Sequence, residues 1–97
     1  MYIEYFRIRN SAQPPRRANP SDAGMDLAYA PDSGEPVTIR PGESMICATG
    51  LKFGVPHGYM LQIMNRSSIA ARRSLIVGAH VVDAGYDGEV FINLHNV

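Results

Sequence analysis

Three short stretches carry residue types that could do chemistry. In VVDAGYDGEV (81–90), an acid and a tyrosine interrupt two apolar runs and sit in a turn around Gly85 and Gly88. A carboxylate on a stiff β-turn can fix a water for attack as a general base. An aromatic ring three residues further on can lie flat against a sugar. Asp83 and Tyr86 are therefore the first candidates, although the same residues also fit a plain turn with Tyr86 filling the core. In NRSSIAARR (65–73), serine hydroxyls and free N–H groups at a helix start form an anion site, and Arg66 adds a planar fork for phosphate oxygens. An ordinary helix capped by Ser67 or Ser68, with a solvated arginine, fits equally well. Arg72 and Arg73 read as surface or inter-subunit residues. In SDAGMDL (21–27), Asp26 follows a glycine loop and could hold Mg²⁺ directly or through water. It could also be a turn acid that satisfies nearby backbone N–H groups.

The elements that must position these groups are short. YIEYFRIR reads as a first strand, aromatic and β-branched. A long connector follows, in which Pro14, Pro15 and Pro20 exclude a helix. After MDLAYA come the turn PDSGEP, then VTI and a tight RPGES bend. MICATGLKFGVP and YMLQIMN look like two more strands, joined through Pro56, His57 and Gly58. RSSIAARR departs from this pattern, and one or two helical turns pinned by tertiary contacts are expected there. In VFINLHNV, Val90, Ile92 and Leu94 face one way while Asn93 and His95 face the other. Short strands at this spacing predict an all-β sandwich, barrel or jelly-roll-like fold.

Ninety-seven residues allow a single domain, 1–97, with a limited private core. Apolar residues at 45% and charged ones at 19% make it globular. Nine Lys+Arg balance nine Asp+Glu, which argues against a duplex-tracking basic face and thus against nucleic acid as a partner. The lone Cys47 closes no intrachain disulfide, so a reducing, cytoplasmic setting is expected. No run approaches a membrane span and the N-terminus is no signal peptide, so no membrane partner is expected either. The chain stops within its last strand pattern, which implies missing residues or a sheet completed by another chain.

AGMDL, RSSIA and VVDAGYDGE, in that order, resemble the first three motifs of the dUTPase family, the dUTP nucleotidohydrolases. RRANPSDAGMDL, VTIRPGE, ATGLKFGVPHGY and INLHN are similar to that family's text at the expected places, so the resemblance covers nearly the whole chain. It implies a distorted jelly-roll, or β-clip, subunit with one short helical segment. It also implies a homotrimer whose active sites are shared between neighbouring chains, cleaving dUTP to dUMP and pyrophosphate with Mg²⁺. Carried over by motif, Asp83 positions and activates the water that attacks the α phosphorus, and it accepts a hydrogen bond from the 3′-hydroxyl. Tyr86 stacks on the deoxyribose and leaves no room for a 2′-hydroxyl. Arg66, Ser67 and Ser68 hold the phosphates, and Asp26 reaches the magnesium through coordinated water. Uracil is read by a hairpin from Val77 to Val82, chiefly through backbone groups, with Val81, Val82 and Phe91 at the pocket. Cytosine reverses the donor and acceptor roles of N3 and position 4, so a rigid backbone edge penalises it by about 1–3 kcal/mol per unpaired group.

Several positions depart from the family pattern. Asn65 stands where proline or glycine often precedes the Arg-Ser pair. His80 occupies a hairpin position that is commonly glycine, and it is expected to point to solvent. Gly85 replaces an acid found in many members. The fourth motif and the glycine-rich fifth would lie beyond Val97, so the resemblance implies a C-terminally incomplete domain with slow or absent turnover. The related dCTP deaminase shares the RSSIA and VDAGYDG flavour, but it needs a glutamate where Asn93 stands and an arginine where Ala71 stands. A non-catalytic assembly or binding module of the same fold is the alternative from another class.

Overall fold

The computed structural model describes residues 3–97, so Tyr2 of the expected first strand lies outside them. Seven strands and one helix follow in the order β1 (Glu4–Arg7), β2 (Ser44–Ala48), β3 (Leu51–Gly54), β4 (Met60–Gln62), α1 (Ser67–Arg73), β5 (Leu75–Val77), β6 (Val81–Asp83) and β7 (Phe91–Asn96). They form three small sheets: β1 with β3, β2–β7–β5 with β7 central, and β4 with β6. Every pairing is antiparallel. The all-β expectation and the single short helix both hold.

MICATGLKFGVP, expected as one strand, is two strands in different sheets. The break falls at Thr49 and Gly50, where Gly50 adopts φ +69° and the chain changes direction. A side chain at 50 would also collide with Ala12, whose Cβ lies 2.7 Å from where it would start. Both conditions demand glycine. The corner is then locked by hydrogen bonds that follow from register. Ile8 N donates to Gly50 O at 2.8 Å, which makes Arg7 and Leu51 a non-hydrogen-bonded pair of the antiparallel ladder. Leu51 therefore turns its N–H and C=O away from β1. Thr49 Oγ1 accepts the N–H at 3.2 Å, and the C=O accepts Val90 N at 2.8 Å. Thr49, fully buried, donates in turn to Val90 O at 2.6 Å.

MDLAYA and VTI form no strand; MDLAYA contributes only an isolated bridge between Arg16 and Asp26. Val55, Val82 and Val90 form the main buried cluster, with Phe53, Leu61, Ile63 and Ala84 against it. This cluster draws on β3, β4, β6 and the approach to β7, so it lies directly beneath the turn that carries Asp83 and Tyr86. Cys47 is buried on β2, and burial pushes its thiol pKa up. Many large apolar side chains stay on the surface, among them Tyr5, Phe6, Ile46, Met60 and Met64.

Candidate functional site

Most of the sequence-predicted residues line two neighbouring clefts that share Ile63, while Asp83 and Ser68 line neither. The smaller, of about 160 Å³, is lined by His80, Val81, Val82, Tyr86, Glu89 and Phe91, among others. The larger, of about 910 Å³, has Asp26, Asn65, Arg66 and Ser67 on its polar side and Cys47, Ile92 and Leu94 on its apolar side. Ile92 and Leu94 thus share one face of β7. Asn93 and His95 take the other and bond each other, His95 Nε2 to Asn93 Oδ1 at 2.8 Å.

Two motifs meet in the larger cleft. Arg66 Nε lies 3.6 Å from Asp26 Oδ1. The backbone of Asp26 is fixed by reciprocal bonds with Arg16, at 2.8 and 3.3 Å, which leaves its carboxylate turned to the cleft. The turn-acid role belongs instead to Asp22, whose Oδ2 accepts Asn19 N at 3.0 Å. The expected serine cap does not form. Arg66 is itself the N-cap residue of α1, with extended backbone and no side-chain cap bond, so Ser67 and Ser68 fall inside the first turn. The Asp26 carboxylate offers oxygen ligands to a hard cation at the edge of this cleft. Among the described residues no three His, Cys, Asp or Glu side chains cluster as a ready-made metal cage.

The expected Val77–Val82 hairpin is a corner between sheets. β5 pairs with β7 and β6 with β4, so the two arms share no ladder. Val77 accordingly lines the larger cleft, whereas Val81 and Val82 line the smaller one. Close approach shapes this bend: a Cβ on Gly78 would run into Asn93 Oδ1 and lie 2.6 Å from His95 Nε2. Gly78 N donates to Asn93 O at 2.8 Å, and Ile63 N donates to His80 O at 2.7 Å. Asn65, which sequence reasoning noted only as a departure, ties the approach to α1 to the start of the bend within the larger cleft, since its Oδ1 accepts Val77 N at 2.7 Å. His80 is exposed, yet its ring folds back so that Nδ1 lies 3.1 Å from Gly78 O.

Asp83 ends β6, opposite Met60, and is exposed without lining either cleft. Its carbonyl accepts Tyr86 N at 3.1 Å, closing the turn. Tyr86 does not fill the core. It is 45% exposed, and its hydroxyl donates to Glu89 O at 2.6 Å.

The least expected part of the site is what holds that turn. Arg9 donates from both terminal nitrogens to the Glu89 carboxylate, at 2.7 and 2.6 Å, and Gly50 N adds a third bond at 3.0 Å. Hydrogen bonding from Arg9, helped by Gly50, holds the Glu89 pKa below the ordinary carboxylate value against the opposing effect of burial. Arg9 Nε also lies 2.9 Å from Asp32 Oδ1 but is not aimed to make a hydrogen bond, so this is a contact of charges only. Eighty residues separate Arg9 from Glu89 in sequence, and no local pattern announces the pair.

The dUTPase family model matches residues 10–97. The chain belongs to the dUTPase family. It is 41% identical over 96 residues to the deoxyuridine 5′-triphosphate nucleotidohydrolase of Thermobifida fusca, covering 97% of this chain and 51% of that protein. The dUTPase of phage phi11 of S. aureus, studied as a mutant for the coordination of a structural Mg(II) ion, superposes with TM-score 0.88 at 28% identity. That match covers 99% of this chain and 60% of the phage protein. The Staphylococcus bacteriophage 80alpha dUTPase, in a mutant form with dUpNHpp, also gives TM-score 0.88 at 28% identity, covering 98% of this chain and 54% of that one. The chain spans roughly half to two thirds of the length of the curated relatives it matches. The seven strands, three sheets and one helix are therefore a dUTPase-type jelly roll, and all three motifs that carried the resemblance lie in or beside the two clefts.

Proposed function

We propose that the protein hydrolyses dUTP to dUMP and pyrophosphate. The observation that carries this reading is the meeting of Asp26, Arg66 and Ser67 at one polar rim, next to a small cleft walled by Tyr86, Val81 and Phe91. Arg66 binds phosphate oxygens as a planar fork, and the Ser67 and Ser68 hydroxyls, not used for capping, complete the cradle. Asp26 would hold a magnesium ion through water, and the ion would supply positive charge against that of the phosphates. Asp83 orients a water and takes its proton as the water oxygen bonds to the α phosphorus. The bond from that phosphorus to the bridging oxygen breaks, and pyrophosphate leaves with the electron pair. Tyr86 stacks on the deoxyribose. The bend from Val77 to Val82 reads uracil through its backbone, which suits the burial of the Val82 side chain.

In one chain, Asp83 and Arg66 do not face a common cleft, which supports a homotrimer whose sites combine residues of neighbouring copies. The breadth of apolar surface left exposed favours the same assembly. The free thiol of Cys47 suits the cytoplasm.

The test is pyrophosphate release from dUTP and Mg²⁺. The wild-type chain should release it, and Asp83→Asn should lower the rate by about 10²–10⁴-fold with an unchanged circular dichroism spectrum. Binding of dUTP with no turnover, even with a relative's C-terminal arm appended, would instead support a non-catalytic module of the same fold.

A further inference from the structure

We propose that Arg9 and Glu89 are positioning residues for sugar selection: by fixing the tilt of Tyr86 they set how strictly the smaller cleft rejects a ribose. This rests on the reading of Tyr86 as the platform under the sugar.

The Tyr86 ring is fastened at both ends. Its Cα belongs to the turn closed by Tyr86 N on Asp83 O, and its hydroxyl is tied to the carbonyl of Glu89 at 2.6 Å. Behind the ring lies Gly88, where an added Cβ would stand 2.8 Å from the hydroxyl oxygen and 2.9 Å from Cζ. The ring thus rests against bare backbone while its outer part stays open to the cleft. To admit one more hydroxyl on the sugar, it must retreat. Retreat breaks the bond to Glu89 or drags Glu89 with it.

Glu89 is poorly placed to move. Three N–H groups hold its carboxylate, two of them on the same Arg9 fork. Arg9 is braced in turn by Ala30 O, 3.0 Å from Nη2. Both side chains are largely sheltered, at 20% and 11% exposure, so water competes weakly for the pair. A planar fork on a carboxylate fixes direction as well as distance, which an ammonium group does not. The N-terminal segment therefore reaches across the molecule to stiffen the wall against which the sugar is measured.

The experiment compares the affinities of dUMP and UMP by calorimetry for the wild type, Tyr86→Phe, Arg9→Lys and Glu89→Gln. In each variant the preference for dUMP should fall by roughly five- to tenfold, the scale of one lost hydrogen bond, and mainly because UMP binds better. A purely structural role would weaken both nucleotides alike. Tyr86→Phe keeps the ring and removes only the tether, so it reports even if the other two variants fold poorly. Wild-type preference retained in Tyr86→Phe, or equal weakening of both nucleotides in Arg9→Lys, overturns the inference. A wild-type protein that binds both nucleotides equally, or neither, overturns the platform reading and the inference with it.

Discussion

Replacing Thr49 by valine should destabilise the protein by about 2–3 kcal/mol, although the two side chains have nearly the same shape. The hydroxyl donates to Val90 O at 2.6 Å and accepts Leu51 N at 3.2 Å. Leu51 and Val90 are 0% and 2% exposed, so water cannot readily replace the lost partner. An orphaned buried group costs about 1–3 kcal/mol, and the longer amide contact belongs at the low end. The methyl that replaces the hydroxyl returns less than about 1 kcal/mol. For a domain of this length, the difference corresponds to a fall in Tm of about 10–20 °C. Urea unfolding at one fixed protein concentration measures it, because any association would otherwise shift the midpoint. Thr49→Ser keeps both bonds and should lose only about 1 kcal/mol, for the missing methyl. If valine costs under about 0.5 kcal/mol, or serine is as damaging as valine, the corner is not held as described.

Acid should act through Glu89. Its folded pKa lies below the ordinary carboxylate value of 4.5, so its contribution to stability is complete above that value and is lost as pH falls through the depressed one. Glu89→Gln should lower stability at neutral pH and narrow the gap between urea midpoints at neutral pH and at about pH 3; an unchanged gap would count against the pairing. Two glycines should part company: Gly78→Ala drives a methyl into Asn93 and His95 and should cost about 1–3 kcal/mol, whereas Gly85→Ala meets nothing within 4 Å and should be neutral or slightly stabilising. Thermal melts of the two variants decide this, and equal effects would refute the close approach at Gly78.

The fold class, the short helix and the alternation of β7 were legible because each rests on local periodicity. Thr49 and Gly50 were harder to read. They sit inside a run that alternates acceptably as one strand, and only the demand for φ +69° and the nearness of Ala12 reveal a corner. VTI has strand-like composition but finds no partner, and a strand needs a neighbour more than it needs propensity. Within the site, Asp26 and Arg66 come from separate motifs, and the structure brings them to 3.6 Å of each other. That Val77 lines one cleft and Val81 and Val82 the other was not legible, because shared sequence does not say which sheet each arm of a bend will join. Arg9 and Glu89 were out of reach, since a pair that depends on the whole fold leaves no trace in spacing.

The central place of β7 bears on how the chain is made. The largest sheet has β7 in the middle, so neither β2 nor β5 has its neighbour until Phe91–Asn96 has left the ribosome. Until then two strand edges stay open. Newborn copies that stall before that point would present those edges to one another, and holding chaperones would find their clients among them.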